Sequence, residues 1–153
     1  MTAYTVIKFV HVVLAITAVG ANITYAVWLQ RAAREPRHLD FALKGVKALD
    51  DRIANPAYGF LLITGLALLV LGRVRWTTPW VLSAIALYVI VVGLALFRYT
   101  PLLSRQIATL GRSGAQSAEF QALAAQNRTV GILLAVLVLL IVFLMVTKPS
   151  LWG

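Results

Sequence analysis

An all-α bundle of four membrane-spanning helices is the fold this sequence predicts, and three observations predict it. The 153 residues are 61% hydrophobic and 12% charged, far from the balance of a water-soluble domain. Residues 5–29, 53–72, 76–97 and 129–147 form four stretches apolar enough to cross a bilayer, which takes about 20 residues of helix. The basic residues collect between those stretches. Arg31, Arg34, Arg37, Lys44, Lys47 and Arg52 lie in the connection 30–52, and Arg98, Arg105, Arg112 and Arg128 in the connection 98–128. Only Lys8, Arg73, Arg75 and Lys148 lie on the other side, a bias of ten to four. Because basic loops stay on the cytoplasmic face, this places both long connections inside and both termini outside. The whole chain, 1–153, reads as a single multi-pass membrane domain.

Each element has its own local reason. In the first stretch only Lys8 precedes the main apolar run, which is too long and too polar on one face for a signal-peptide core, so the stretch reads as a retained span. The second begins at Asn55-Pro56, which reads as an N-cap followed by proline at the first helical position. Thr78-Pro79 reads the same way for the third. Thr100-Pro101 is expected to kink or end the helix, and Gly111-Arg-Ser-Gly114 reads as a turn. In the first connection Leu39, Ala42, Leu43, Val46, Leu49 and Ile53 follow helical spacing, with Asp40 and Lys44 paired on another side. That connection is therefore an amphipathic helix, lying at the membrane surface or running into the second span. From about Ala115 a second polar helix leads to the fourth span, with Phe120, Leu123 and Ala124 as its apolar side. Tyr4, Trp76, Trp80 and Trp152 form an outer aromatic belt, and Trp28 and Tyr99 an inner one.

Asn55-Pro-Ala-Tyr-Gly59-Phe-Leu-Leu also matches Asn127-Arg-Thr-Val-Gly131-Ile-Leu-Leu at an offset of 72, which raises the expectation of two duplicated helical hairpins.

Composition closes several function classes. The chain has no cysteine, which excludes disulfides, Cys-ligated iron–sulfur clusters and thiolate catalysis. It has no glycine-rich phosphate loop, no HExxH motif and no triad spacing, so no motif assigns an enzyme class. The excess of basic residues lies between spans, where it reads as a topology and headgroup signal; the partner is a lipid bilayer and not nucleic acid.

What chemistry there is gathers on the first span. Lys8, His11, Ala15, Ala18, Asn22 and Tyr25 share one helical face, and His11 is the only residue between Phe9 and Leu29 that titrates near neutral pH. An ionisable group inside a membrane usually faces the bundle interior or a cavity. Helical rise puts His11 about 10 Å inside the outer end, level with Thr64 or Gly65 and with Tyr88. Three readings are open. His11 ligates a haem, with the small Ala15 and Ala18 leaving room for the macrocycle and Tyr88 beside it. Alternatively, His11 titrates in a relay with Tyr88 or Thr64, and Asn22, Tyr25 and Thr64 line a polar pathway in a small transporter or channel-like protein. The plainest reading is a neutral histidine that ties two helices together by one hydrogen bond, in a structural subunit. His38 lies in the first connection, too far along the first helix to share a haem with His11. Met145 offers a single thioether to copper.

Lys8-x-x-His11, Asn55-Pro-x-x-Gly59 with Thr64-Gly65, and the closing Met145-Val-Thr-Lys148-Pro149 resemble a family of bacterial four-helix integral-membrane proteins of unassigned function, over the whole chain. That family is similar in turn to the membrane modules of copper-resistance protein D and of HemJ-type protoporphyrinogen oxidase. The resemblance implies a multi-pass protein of the bacterial cytoplasmic membrane, with His11 as an axial ligand of haem b and, since no second ligand is evident, a homo-oligomer to supply it. Oxidase-type modules are expected to hold a lysine in the third span; residues 80–97 contain none, so the resemblance implies the fold and the ligand and not the oxidase reaction.

Overall fold

The computed structural model describes residues 2–149, which are helical apart from short turns, with no strand among them. Helix α1, Ala3–Arg34, starts at Thr2, whose hydroxyl accepts from the Thr5 amide at 3.3 Å. A single tight turn, Pro36–His38, leads into α2, Leu39–Leu49, and a π-helical segment, Asp50–Ala54, joins it to α3, Asn55–Leu71. Helix α4, Pro79–Leu94, passes through a second π-helical segment, Ala95–Tyr99, into α5, Thr100–Ser113. Helix α6, Ala118–Thr147, completes the order. Among the described residues this makes four continuous helices long and apolar enough to cross a membrane. Trp152, expected in the outer aromatic belt, lies outside the described residues.

The helices are longer than the bilayer is thick. Helix α1 has 32 residues, about 48 Å of rise against about 30 Å of hydrocarbon. The surplus projects at the basic end, where the last turns of α1 and the first of α6 pack with α2 and α5. Leu39, Leu43, Val46, Leu103 and Phe120 form the core there, and Leu43 and Leu103 are 0% exposed. Within the membrane, α1 packs mainly on α3 and α4 on α6, and α1 and α6 touch each other. Phe60, Val70, Val89, Phe143 and Val146 point outward, as a lipid solvent allows. At the far end Lys148 closes α6 in a left-handed conformation with its ammonium 5.6 Å from the centre of the Trp80 ring.

Pro56 behaves differently from the expectation. Asn55 does not cap a helix: its backbone is helical, and the chain runs unbroken from α2 into α3. Nor does Thr100-Pro101 end one. Each proline instead comes two residues after a π segment, 50–54 before Pro56 and 95–99 before Pro101. A proline inside a helix lacks the N–H for the carbonyl four residues back and its ring collides with that carbonyl; a locally widened turn relieves both faults. Thr78 and Pro79 do open α4, as read. The turn expected at 111–114 falls slightly later, because α5 continues through Gly111 to Ser113 and Gly114, at φ 77°, makes the stop.

The widened turn also shifts the buried stripe of α2. Leu39, Ala42, Leu43 and Val46 face inward as expected, but Ile53 is 42% exposed while Asp50 and Ala54 are buried. Asp50 is in phase with Leu39, Leu43 and Val46 and so belongs to the inward stripe; one extra residue in the turn rotates the helix beyond it by about 100°, and Ala54 takes the inward place that the apolar spacing gave to Ile53. The offset-72 match is likewise not a match of position. The breaks at 35–38 and 114–117 stand 79 residues apart, Gly59 faces open space, and Gly131 lies against the Tyr99 ring.

Leu43→Ala or Leu103→Ala should cost about 2–5 kcal/mol of stability, as truncations in a packed core do. Phe143→Ala on the lipid-facing side should stay within about 0.5 kcal/mol. Thermal unfolding in mild detergent measures all three, and equal losses would contradict a core concentrated at the basic end.

Candidate functional site

The polar face of α1 turns toward α3. His11 Nδ1 lies 2.8 Å from Thr64 Oγ1, and that hydroxyl donates to the Phe60 carbonyl at 2.7 Å. With its proton committed to Phe60, Thr64 accepts, so Nδ1 carries the histidine proton and Nε2 the lone pair. Gly65 makes the approach possible: a Cβ there would stand 3.3 Å from His11 Cε1. About three turns deeper, Asn22 Nδ2 donates to its own helix at Ala18, 3.1 Å, and across to the Tyr58 hydroxyl. The Tyr88 hydroxyl of α4 donates to the Tyr58 carbonyl, and so joins the second hairpin to the same seam. Ala18, 1% exposed, and Ala57, 5% exposed, let α1 and α3 lie close between these links.

Thr64 is thus brought to His11, while Tyr88 is engaged elsewhere. Asn22 and Tyr25 continue the same seam toward the basic end. Tyr25 is 2% exposed, and its buried hydroxyl has no hydrogen-bond partner.

Near Tyr25 the seam ends in Asp50, an acid in phase with the apolar stripe of α2. Asp50 is 5% exposed, accepts from Thr100 Oγ1 at 2.8 Å and from Asn55 Nδ2 at 3.4 Å, and so bridges the two hairpins at their two π segments. Burial pushes its carboxyl above the ordinary aspartate value; the bond from Thr100 opposes that, the neighbouring Asp51 adds to it, and Lys47 and Asn55 oppose it. Tyr99, 6% exposed, and Tyr58 also lie within reach of its charge. A clue was present in the sequence: π turns cluster at functional sites, and each here precedes a proline that would otherwise break a helix. A further buried pair sits between α5 and α6, where Asn127 Nδ2 donates to Gln106 Oε1 at 3.0 Å.

As a metal or haem site the fit is partial. A ligating histidine commonly has its other ring nitrogen held by a second group, and Thr64 does this for His11. His11 therefore suits one axial position. His38 is exposed at the opposite end of α1, paired with Glu35 at 3.0 Å, and the described residues contain no cluster of three metal-binding side chains.

The family described as a predicted integral membrane protein family, DUF2269, matches residues 5–149, and the chain belongs to it. No curated protein and no solved structure matches the chain.

The Asn22–Tyr58 contact should show a coupling of about 0.6 kcal/mol in a double-mutant cycle of Asn22→Ala and Tyr58→Phe, the usual size for hydrogen bonds between membrane helices. Additive losses would mean that the contact carries no energy. Gly65→Ala should press on the imidazole and disturb the His11–Thr64 bond, visible as a change in the His11 ring-nitrogen resonances.

Proposed function

We propose that this member of the family carries protons along the seam between α1 and α3, as a small proton-coupled carrier or relay of the bacterial cytoplasmic membrane. One observation carries the reading: His11 and Asn22 bond to α3 within the membrane and Tyr25 is buried behind them, so the polar face of α1 forms a path inside the bundle. Intramembrane ionisable groups placed this way are characteristic of proton relays.

The chemistry comes from the histidine. Neutral His11, protonated on Nδ1, accepts a proton on Nε2; loss of the Nδ1 proton on the inward side then returns the ring to neutrality as the other tautomer. Asn22 and the Tyr58 hydroxyl hold the middle of the path polar, and Ala15 and Ala18 keep it narrow. By the basic-residue bias, His11 serves the outer side and Tyr25 the cytoplasmic side.

A second reading is favoured by the free lone pair on Nε2. His11 is then one axial ligand of haem b, the other coming from a second copy of the chain. The ligand chemistry is His11's, positioned by Thr64.

In liposomes with a trapped pH dye and an imposed potassium potential, the purified protein should acidify the lumen faster than protein-free vesicles, and His11→Ala should return the rate to the leak. A proton-tight wild type would defeat the transport reading. Its absorption spectrum, from cells supplied with haem, then decides the second: a Soret band lost in His11→Ala establishes the ligand, and a flat spectrum removes it.

A further inference from the structure

The chain has five acidic residues, and four of them have a basic partner. Glu35 pairs with His38, Asp40 with Lys44, Asp51 with Lys47 and Glu119 with Arg112, all at exposed or half-exposed positions. Asp50 is the exception on both counts, since it is buried and no cation among the described residues bridges to it. An ionised carboxylate held in that way is costly, and two neutral donors offset only part of the cost. An apolar residue there would continue the stripe of α2 at no such cost.

We propose that Asp50 is a proton-binding site, the group at the inner end of the α1–α3 seam that exchanges protons with the cytoplasmic face. The inference rests on the proton-carrying reading of that seam and names its terminal group. The groups around Asp50 suit the task. Thr100 and Asn55 donate to the carboxylate when it is ionised. Tyr25, on α1, brings a buried hydroxyl with no hydrogen-bond partner within reach of the carboxylate's charge. The titratable and charged neighbours are Tyr25 from α1, Lys47 from α2, Asp51 from the first π segment, Tyr58 from α3 and Tyr99 from the second π segment. Lys47 is bound to Asp51 and makes no ion pair with Asp50, so its charge acts on that carboxyl only at a distance. Because Asp50 and Thr100 belong to different hairpins, loading the proton replaces an ionic acceptor by a neutral one at the joint between them. A change of protonation is thereby felt by both π segments.

Infrared spectroscopy of the full chain in liposomes tests this. A protonated-carboxyl band should appear as pH falls, with a midpoint above that of an ordinary aspartate, and it should vanish in Asp50→Asn. Thr100→Val removes a hydrogen bond that favours the charged form, so its midpoint should rise further; this variant keeps the carboxyl and serves if Asp50→Asn does not fold. The band should be the same in sodium and in choline buffers. Absence of an Asp50-dependent band, or a midpoint at the ordinary aspartate value, overturns the proposal. A midpoint that falls when sodium replaces choline overturns it too, by making the site one for a metal cation. The flux assay separates the two inferences. A titrating Asp50 in a proton-tight protein upholds the site and removes the seam's role, and a conducting protein with a silent Asp50 does the reverse.

Discussion

Hydrocarbon offers a polar group nothing to bond to, and every feature of this chain answers to that constraint. It forces the backbone into helices, since only an intrahelical ladder satisfies every N–H and C=O within one segment. It then acts on the side chains. His11, Asn22 and Tyr88 would each be costly against lipid, and each finds a partner on α3. Hydrophobic burial does little to hold helices together where the solvent is itself apolar, so close packing and these few polar links must do it. At the basic end, where water returns, Leu43 and Leu103 can again be driven into a core of the ordinary kind. The molecule is therefore held by different forces along its length: apolar burial at one end, small-residue contact and hydrogen bonds through the membrane.

The prolines impose the second level of organisation. A proline in the middle of a long helix leaves a carbonyl without its donor, and in a bilayer neither water nor a loop is at hand to repair it. The chain absorbs Pro56 and Pro101 by widening the preceding turn, once on the way into the membrane and once on the way out. The two widened turns meet, and the Asp50–Thr100 bond ties them. Local backbone chemistry at two separate prolines thus creates the one place where the hairpins share a buried acid.

Much of this was readable from the residues. Apolar runs of sufficient length mark the spans, period-3.6 spacing marks α2 as far as Val46, and equal depth points to Thr64 as a neighbour of His11. The failures have one cause. Reading Ile53 as inward extends a regular helix past Leu49, and the π turn ahead of Pro56 breaks that phase. Asn55-Pro56 and Thr78-Pro79 look alike in sequence, yet one lies inside a helix and the other begins one. What differs is upstream: Val74–Thr77 come after a turn and are not helical, whereas Leu39–Leu49 is a strong helix that continues through the proline. Tertiary continuity decided between two readings that local chemistry leaves equal.

The buried stripe of α2 bears on function as well. Asp50 lies in phase with Leu39, Leu43 and Val46, so the stripe of α2 itself turns it inward, whereas the other four acids sit at exposed or half-exposed positions with basic partners. There it is buried at the joint of the two π segments, within reach of Tyr25, while Lys47 is occupied by Asp51. Two groups at the extremes of one seam then remain without an ionic partner: an imidazole whose Nε2 is unprotonated, and a carboxyl whose only donors are neutral. The polar groups between them belong to α1 and α3, the pair joined through Pro56 and the first π segment. A proton gained or lost at Asp50 changes what Thr100 must donate to, and Thr100 stands at the second π segment, at the head of α5. Charge at Asp50 is in this way connected to the packing of both hairpins, through a single hydrogen bond whose acceptor strength depends on protonation.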